Sequence, residues 1–315
     1  MVYTSDTMNT TVPDTVSSLK AAFRERGIFL KKRLGQNFLL DRNILRSIVE
    51  TAGICEHDVV LEIGTGAGNL TQYLGEEAHR VLGVEIDRRL CSLSQDALSP
   101  HKNIQVLNTD FLTSKTTIDP DVERLLLEWL QGESGLTLKV VSNLPYSIST
   151  PAIITLLEGG LPVEMMVLTL QKEITDRLAA RPGTREYGVL SVIAQLFSEI
   201  RVVRDLSPEV FWPSPRVESA IVTLTVDKER AHAALPDNYR LFSAIVRTVF
   251  QSRRKTLLNS LLKLELPSLD REALLDVLNT LGIEPRRRGE TLDLEEFVAL
   301  VREINTLING GKTDG

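Results

Sequence analysis

Four short clusters of residues in this chain have types and spacings suited to chemistry. The first is Glu62-Ile63-Gly64-Thr65-Gly66-Ala67-Gly68, directly after a β-branched apolar run. Glycines at such a turn let the backbone bend sharply and approach a ligand where a side chain would collide. The second is Glu85, twenty-one residues after Gly64 and at the end of the next such run. A carboxylate there can accept both hydroxyls of a ribose. A dinucleotide enzyme places its acid at ~20 residues too, so these two features alone do not choose a cofactor. The glycine spacing is GxGxG, not GxGxxG, which leans away from a nicotinamide dinucleotide. The third cluster, Asp110-Phe111, ends a third run; Asp110 can accept from an adenine amino group while Phe111 stacks on the ring. The plain alternative for Asp110 is a turn or helix cap.

The fourth cluster, Asn143-Leu144-Pro145-Tyr146, carries the most chemical information. An aromatic amine is a poor nucleophile because its lone pair is delocalised into the ring. Two acceptors on its hydrogens, the Asn143 side-chain oxygen and the Leu144 carbonyl, would hold the nitrogen in line with an electrophilic methyl. Pro145 stiffens the turn that presents the carbonyl. Tyr146 offers a face on which a base can stack. Such a site works by positioning and electrostatics and requires no strong base.

These clusters fall at the ends of strands in an alternating pattern. The runs 59–64, 79–86, 104–109, 138–143, 164–170, 199–206 and 219–226 read as strands. Helical patterns at 41–52, 67–75, 88–98, 151–158, 171–180 and 187–197 separate them, the signature of βαβ units and a mainly parallel sheet. The long connection 113–137 holds a helical stretch, VERLLLEWL. The last two strands are joined through a Pro-containing segment too short for a helical crossover, which predicts antiparallel neighbours. After Val226 only helical periodicity remains, with Leu241, Ile245 and Val249 on one face, and later Leu274, Leu275 and Leu278. Asp293 followed by Glu296 makes a capping box for the last helix. The expected organisation is a basic-ended, mobile extension over 1–34, a Rossmann-like α/β body over 35–226, and a small helical domain over 227–315. Residues 1–19, rich in Thr, Ser, Asp and Asn, are expected to stay mobile.

Composition bounds the reading. At 315 residues, 43% hydrophobic and 25% charged, the chain is an ordinary globular protein of one large or two unequal domains. No run approaches the ~18 apolar residues of a membrane span, and the N-terminus lacks a secretory pattern. Two cysteines and four histidines, all scattered, suggest neither a disulfide framework nor a metal site. A cytoplasmic, metal-free protein is expected, monomeric by default. The net charge of −6 is unevenly spread: Lys20–Leu34 carries +5 and Arg240–Lys263 carries +6, leaving −17 elsewhere. An acidic body with a basic docking surface has this asymmetry, as do two merely solvated helix faces. Arg240, Arg247 and Arg254 recur every seven residues and would form one stripe on a continuous helix.

The sequence resembles the KsgA-type ribosomal RNA adenine dimethyltransferases. The likeness rests on Gly35-Gln36-Asn37-Phe38-Leu39, EIGTGAGNLT, Glu85, Asp110-Phe111, NLPYSIST from Asn143, and FWPSPRVES from Phe211. It extends through Tyr187-Gly188, Arg253-Arg254-Lys255 and LGIEPRRRGETLDLEEF, in order over residues 30–310. The resemblance implies a Rossmann-like S-adenosylmethionine-dependent methyltransferase with a small C-terminal helical domain. It implies adenines near the 3′ end of small-subunit ribosomal RNA as acceptors, dimethylated at the exocyclic amine, and a role in small-subunit biogenesis. Asn37, Leu39, Gly64, Glu85, Asp110 and Asn143 carry over as donor contacts. Asn143 and Tyr146, with Leu144 and Pro145 between them, carry over as the catalytic loop, and Phe211 as a second stacking partner. Arg247, Arg253, Arg254 and Lys255 are the expected RNA contacts, and RNA contact is also expected at Lys31-Lys32-Arg33. Rival readings are an adenine methylase for DNA or large-subunit RNA, a non-catalytic RNA-binding protein that has kept the fold, and, more remotely, a NAD-dependent reductase.

Overall fold

Short β-branched runs between amphipathic helices fold here as expected, and the central runs, 58–63 and 219–224, are buried on both faces. The computed structural model describes residues 11–31, 34–235, 238–264 and 269–310. In chain order the elements are α1 (Val16–Glu25), β1 (Phe38–Leu39), α2 (Arg42–Ala52), β2 (Asp58–Ile63), α3 (Asn69–Glu77), β3 (Arg80–Val84), α4 (Arg88–Leu98) and β4 (Ile104–Leu107). The small hairpin β5 (Leu112–Ser114) and β6 (Thr117–Ile118) follows, then α5 (Pro120–Gly132), β7 (Thr137–Asn143), α6 (Ser149–Glu158), β8 (Val163–Gln171) and α7 (Lys172–Leu178). The remainder is α8 (Val189–Phe197), β9 (Ser198–Leu206), β10 (Phe211–Trp212), β11 (Ser219–Val226), α9 (Lys228–Ala234), α10 (Tyr239–Gln251), α11 (Leu257–Leu261), α12 (Arg271–Thr280) and α13 (Leu294–Gly310).

Seven strands form one sheet in the order β4-β3-β2-β7-β8-β11-β9. Pairs β2–β3, β3–β4, β2–β7 and β7–β8 are parallel, and β11 runs antiparallel to β8. The parallel register brings Ile63 beside Val84 and Val84 beside Leu107, so the chain leaves β2, β3 and β4 at one edge. That edge is where an open α/β sheet binds its ligand. Asp41 caps α2 and Asp87 caps α4 with side-chain bonds to the amides of the first turn, fixing where the following helices start.

Two expectations change. The chain divides into two compact units, and residues 176–200 join the helical unit rather than the α/β body. The helical unit thus comprises 176–200 and the chain from Asp227 onward, with Phe242, Ile245, Val246 and Val249 of α10 at its core. The expected mobility of residues 1–19 also fails where that stretch is described. Thr15 caps α1 in a capping box with Ser18, and Leu19 is fully buried, because α1 has an apolar face to pack. Residues 1–10, Lys32 and Arg33 lie outside the described residues. The capping box expected at Asp293 is present: Glu296 N–H donates to Asp293 Oδ1 at 2.8 Å and Asp293 N–H to Glu296 Oε2 at 3.0 Å.

One packing detail ties the sheet to the glycine loop. Gly83 on β3 faces the Thr65 side chain, and a Cβ at Gly83 would fall 2.3 Å from Thr65 Cγ2. Gly83→Ala should therefore displace the loop and cost about 1–3 kcal/mol, the usual penalty of overpacking, in urea denaturation.

Candidate active site

The loops that leave β2, β3, β4 and β7 at this sheet edge, with the segment before β1, enclose a cavity of about 190 Å³. Asn37, Leu39, Gly64, Glu85, Asp110, Asn143, Leu144, Pro145 and Tyr146 all line it. Sequence positions more than a hundred residues apart are thus brought to one cleft.

Gly64 stands at φ +86°, and a Cβ there would lie 2.7 Å from Pro145 Cγ. The glycine turn and the Asn143–Tyr146 loop are in direct contact, and only glycine fits between them. Glu85 is 5% exposed and anchored by its own neighbourhood. Its Oε2 accepts from Gly66 N–H at 2.9 Å and its Oε1 from Asp87 N–H at 2.8 Å. A carboxylate has about four acceptor sites, so each oxygen keeps capacity for a ribose hydroxyl. Burial raises its carboxyl above the usual range, and these two amides pull against that rise.

Asn143 is half-buried at the end of β7, and its Nδ2 donates to the Asn37 carbonyl at 2.8 Å. That bond assigns the nitrogen of the amide to Asn37 and leaves Oδ1 as the acceptor for a ligand amine. Leu144 N–H donates to Thr169 O at 3.3 Å, and Pro145 O accepts from both Ile148 N–H and Ser149 Oγ. The loop is therefore held from its own side. Tyr146 shares a 2.7 Å hydrogen bond with Ser219 Oγ, which fixes the ring; burial holds its hydroxyl above the ordinary phenol range. Asp110 is exposed at the rim, its Oδ1 accepting from Leu112 N–H, while Phe111 is buried against the cavity.

Two cleft residues carry little functional signal in the sequence. Glu62 is 1% exposed, lines the cavity, and its Oε2 finds no hydrogen-bond partner among the described residues. Burial above all pushes its carboxyl up to about 8; the Thr71 side chain pulls against that rise, and the nearby Glu85 charge adds to it. Its place in the glycine motif signalled structure, but nothing in the sequence signalled burial. Ile86, 47% exposed, gives the cavity an apolar wall; an apolar residue directly after the acid is the only sequence signal.

Other expected contacts are not in this cleft. Phe211 pairs with Leu39 across β1 and β10 and is 4% exposed, packed in the cluster that holds Leu39, Ile44 and Leu45. Its side chain is buried in that cluster and does not line the cavity. The stripe Arg240–Arg247–Arg254 is broken, since α10 ends at Gln251 and Arg254 lies in the following turn. Arg247 is half-buried and donates to Ser243 Oγ at 3.0 Å. Arg253 donates to Arg185 O at 2.6 Å and to Tyr187 O, with Glu290 at 3.5 Å. Arg254 and Lys255 are exposed. Within the helical unit Arg253 thus links the 252–256 turn to two further loops; Gly183 N–H donates to Glu290 O between those loops, and Leu257 N–H at the start of α11 to Arg287 O, each at 2.7 Å. These loops add exposed Arg181, Arg185, Arg286 and Arg288, with Glu186 and Glu284 as the exposed acids among them.

Glu62 gives a pH prediction. Between its unfolded value near 4.5 and its folded value near 8, the folded chain holds a proton that the unfolded chain has lost. Stability therefore falls as pH rises through that window and levels off above it. Glu62→Gln should flatten this slope in urea denaturation measured from pH 5 to pH 8; an unchanged slope contradicts the assignment.

Known proteins match this arrangement. The family model described as ribosomal RNA adenine dimethylase matches residues 29–300. A protein from Geobacillus thermodenitrificans named ribosomal RNA small subunit methyltransferase A is 42% identical over 296 residues, covering 93% of this chain and 97% of that one. The protein of that name from Alkaliphilus metalliredigens is 38% identical over 288 residues, 91% of this chain and 96% of its own. Among solved structures, a dimethyladenosine transferase from Plasmodium falciparum superposes with a TM-score of 0.68 at 27% identity, over 84% of this chain and 96% of that one. The 23S rRNA methyltransferase ErmE does so with a TM-score of 0.59 at 27% identity, over 85% and 99%. With its glycine turn, ribose-type acid and Asn143–Tyr146 loop closed around one cleft, the chain belongs to the ribosomal RNA adenine dimethylase family.

Proposed function

We propose that this protein transfers methyl groups from S-adenosylmethionine to the exocyclic amines of adenines, twice on each. The acceptors are two adjacent adenines near the 3′ end of small-subunit ribosomal RNA, met within a pre-ribosomal small subunit. The observation that carries the reading is the Asn143 amide, whose nitrogen is engaged by Asn37 O so that its oxygen is the group offered to an amine.

The cleft suits the donor on its own terms. Glu85 keeps acceptor capacity for a ribose, and the orphaned Glu62 Oε2 offers a partner for a cationic ammonium. Asp110 at the rim and Phe111 and Ile86 in the walls suit an adenine edge and its faces. When bound, the donor supplies an electrophilic methyl carried on a sulfonium. Asn143 Oδ1 and the Leu144 carbonyl accept the amine hydrogens, which directs the nitrogen lone pair out of conjugation with the ring. Tyr146, fixed through Ser219, supports the plane of the base. Asn143 is uncharged and cannot act as a strong base, so orientation supplies most of the catalysis. Among the described residues no group of His, Cys, Asp and Glu gathers as a metal site, and no helix is long and apolar enough to cross a membrane.

The RNA is held through phosphates by the cations of the helical unit. Arg254 and Lys255, expected from sequence, are joined by Arg181, Arg185, Arg286 and Arg288 on the adjoining loops. Arg247 and Arg253 belong to the same region but use donors within the protein.

Two measurements test this reading. Nucleoside digestion of small-subunit RNA after incubation with the protein and donor should yield N6,N6-dimethyladenosine. Asn143→Ala should lower kcat by about 10²–10³-fold, the usual loss on removing one preorganised polar group, with RNA affinity unchanged. Product in large-subunit RNA instead, or a parent that stops at monomethyladenosine, contradicts the assignment. For docking, Arg254→Ala and Lys255→Ala should each flatten the salt dependence of RNA affinity by about 0.7–0.9 in log–log slope without changing stability. Arg253→Ala should instead destabilise the helical unit by about 1–3 kcal/mol, because the carbonyls of Arg185 and Tyr187 lose their donor.

A further inference from the structure

The segment ahead of the catalytic body is bonded, residue by residue, to the helices that start where the cleft loops end. Asp14 pairs with Arg42 at the start of α2, which follows the Gly35–Leu39 loop. Pro13 O accepts from the buried Asn69 Nδ2 at 2.7 Å, at the start of α3, which follows the glycine turn. Lys31 pairs with Asp87 at 2.6 Å, Gly27 O accepts from Arg89, and Arg26 pairs with Asp96 at 2.5 Å, all on or capping α4, which follows Glu85. Between these ties, Leu19, Phe23 and Ile28 pack on Phe38, Ala67, Leu90 and Leu93, one cluster fed by the same three loops.

The centre of that cluster bears on the catalytic amide. The Phe23 ring meets Phe38 edge-on at 5.4 Å between centroids and Trp212 at 5.9 Å. Phe38 adjoins Asn37, whose carbonyl holds Asn143 Nδ2. An unbroken series of contacts therefore runs from α1 through Phe38 and Asn37 to Asn143. Most of the segment, residues 11–28, lies outside the stretch matched by the family model.

We propose that residues 13–31 are a clamp that positions the Gly35–Leu39 loop, and through it Asn143, with Phe23 as the principal positioning residue. The clamp sets both donor affinity and amide orientation without touching donor or base. Its catalytic consequence rests on the cleft being a methyl-donor site, whereas its mechanical consequence does not.

The test compares Phe23→Ala, Phe23→Leu and Arg26→Ala with a control, Leu126→Ala, which opens a hole under α5 at a fully buried site away from the cleft. Three readouts are taken on the full chain: hydrogen exchange of amides 35–39, calorimetric Kd for S-adenosylmethionine, and kcat at saturating donor. Phe23→Ala should speed exchange at 35–39 on the order of tenfold and weaken donor binding by about the same factor. It should also lower kcat, a loss that saturating donor does not restore. Phe23→Leu should recover most of all three. Arg26→Ala, which leaves the apolar cluster intact, should move them in the same direction by a smaller amount and serves if Phe23→Ala does not fold. Leu126→Ala should lower the melting temperature comparably yet keep parent values for all three. Unchanged exchange at 35–39 in both Phe23→Ala and Arg26→Ala overturns the clamp. A Phe23→Ala protein that loses melting temperature alone, as the control does, overturns it too. If the parent binds no donor while Phe23→Ala still loosens 35–39, the clamp stands and the reading of the cleft falls.

Discussion

The hydrogen bond from Asn143 Nδ2 to the Asn37 carbonyl is the contact on which the active site depends. A primary amide is ambiguous, since it can offer an oxygen or a nitrogen to its surroundings. Here the protein takes the nitrogen, so the chemistry receives the oxygen. The bond spans 106 residues of sequence, and it exists only because the segment before β1 and the end of β7 arrive at one sheet edge. Pro145 against Gly64, and Tyr146 against Ser219, then fix the remainder of the loop relative to the donor site. Each contact removes a degree of freedom that would otherwise be lost when the base arrives.

Two buried carboxylates give the cleft its electrostatic character. Glu85 is compensated by backbone amides, whereas Glu62 is left with an unpartnered oxygen and responds by holding a proton near neutral pH. Burying acids in this way costs stability in the empty protein. It also creates a site that favours a cationic ligand, because a cation beside Glu62 would release that proton and restore the carboxylate. The helical unit shows the opposite balance, with arginines on three adjoining loops; Arg253, which staples loops together, and Arg287, which ties its loop to α13, are distinct from the arginines left at the surface.

Much of this was legible in the sequence because it depends on local pattern. The seven strands of the main sheet follow from β-branched runs, and the cleft residues follow from their positions at strand ends. The α5 helix and the Asp293 capping box were legible for the same reason. What escaped depends on long-range packing. Phe211 reads as an aromatic open to a base, and only the packing of the β1–β10 pair shows it buried among Leu39, Ile44 and Leu45. Arg253 reads as one of three equivalent cations, and only the fold brings Arg185 O and Tyr187 O within its reach. The polar start of the chain suggested mobility, yet the spacing of Leu19 and Phe23 gives α1 a buried face that composition alone conceals.

Neutron diffraction observes the orientation of the Asn143 amide directly. Crystals of the protein with S-adenosylhomocysteine and adenosine, exchanged into D₂O, would show the Asn143 deuterons. Both deuterons should sit on the atom facing Asn37, with Oδ1 within hydrogen-bond distance of the adenosine amine. Deuterons facing the base, or an amine held by another group beyond reach of Oδ1, would contradict this assignment.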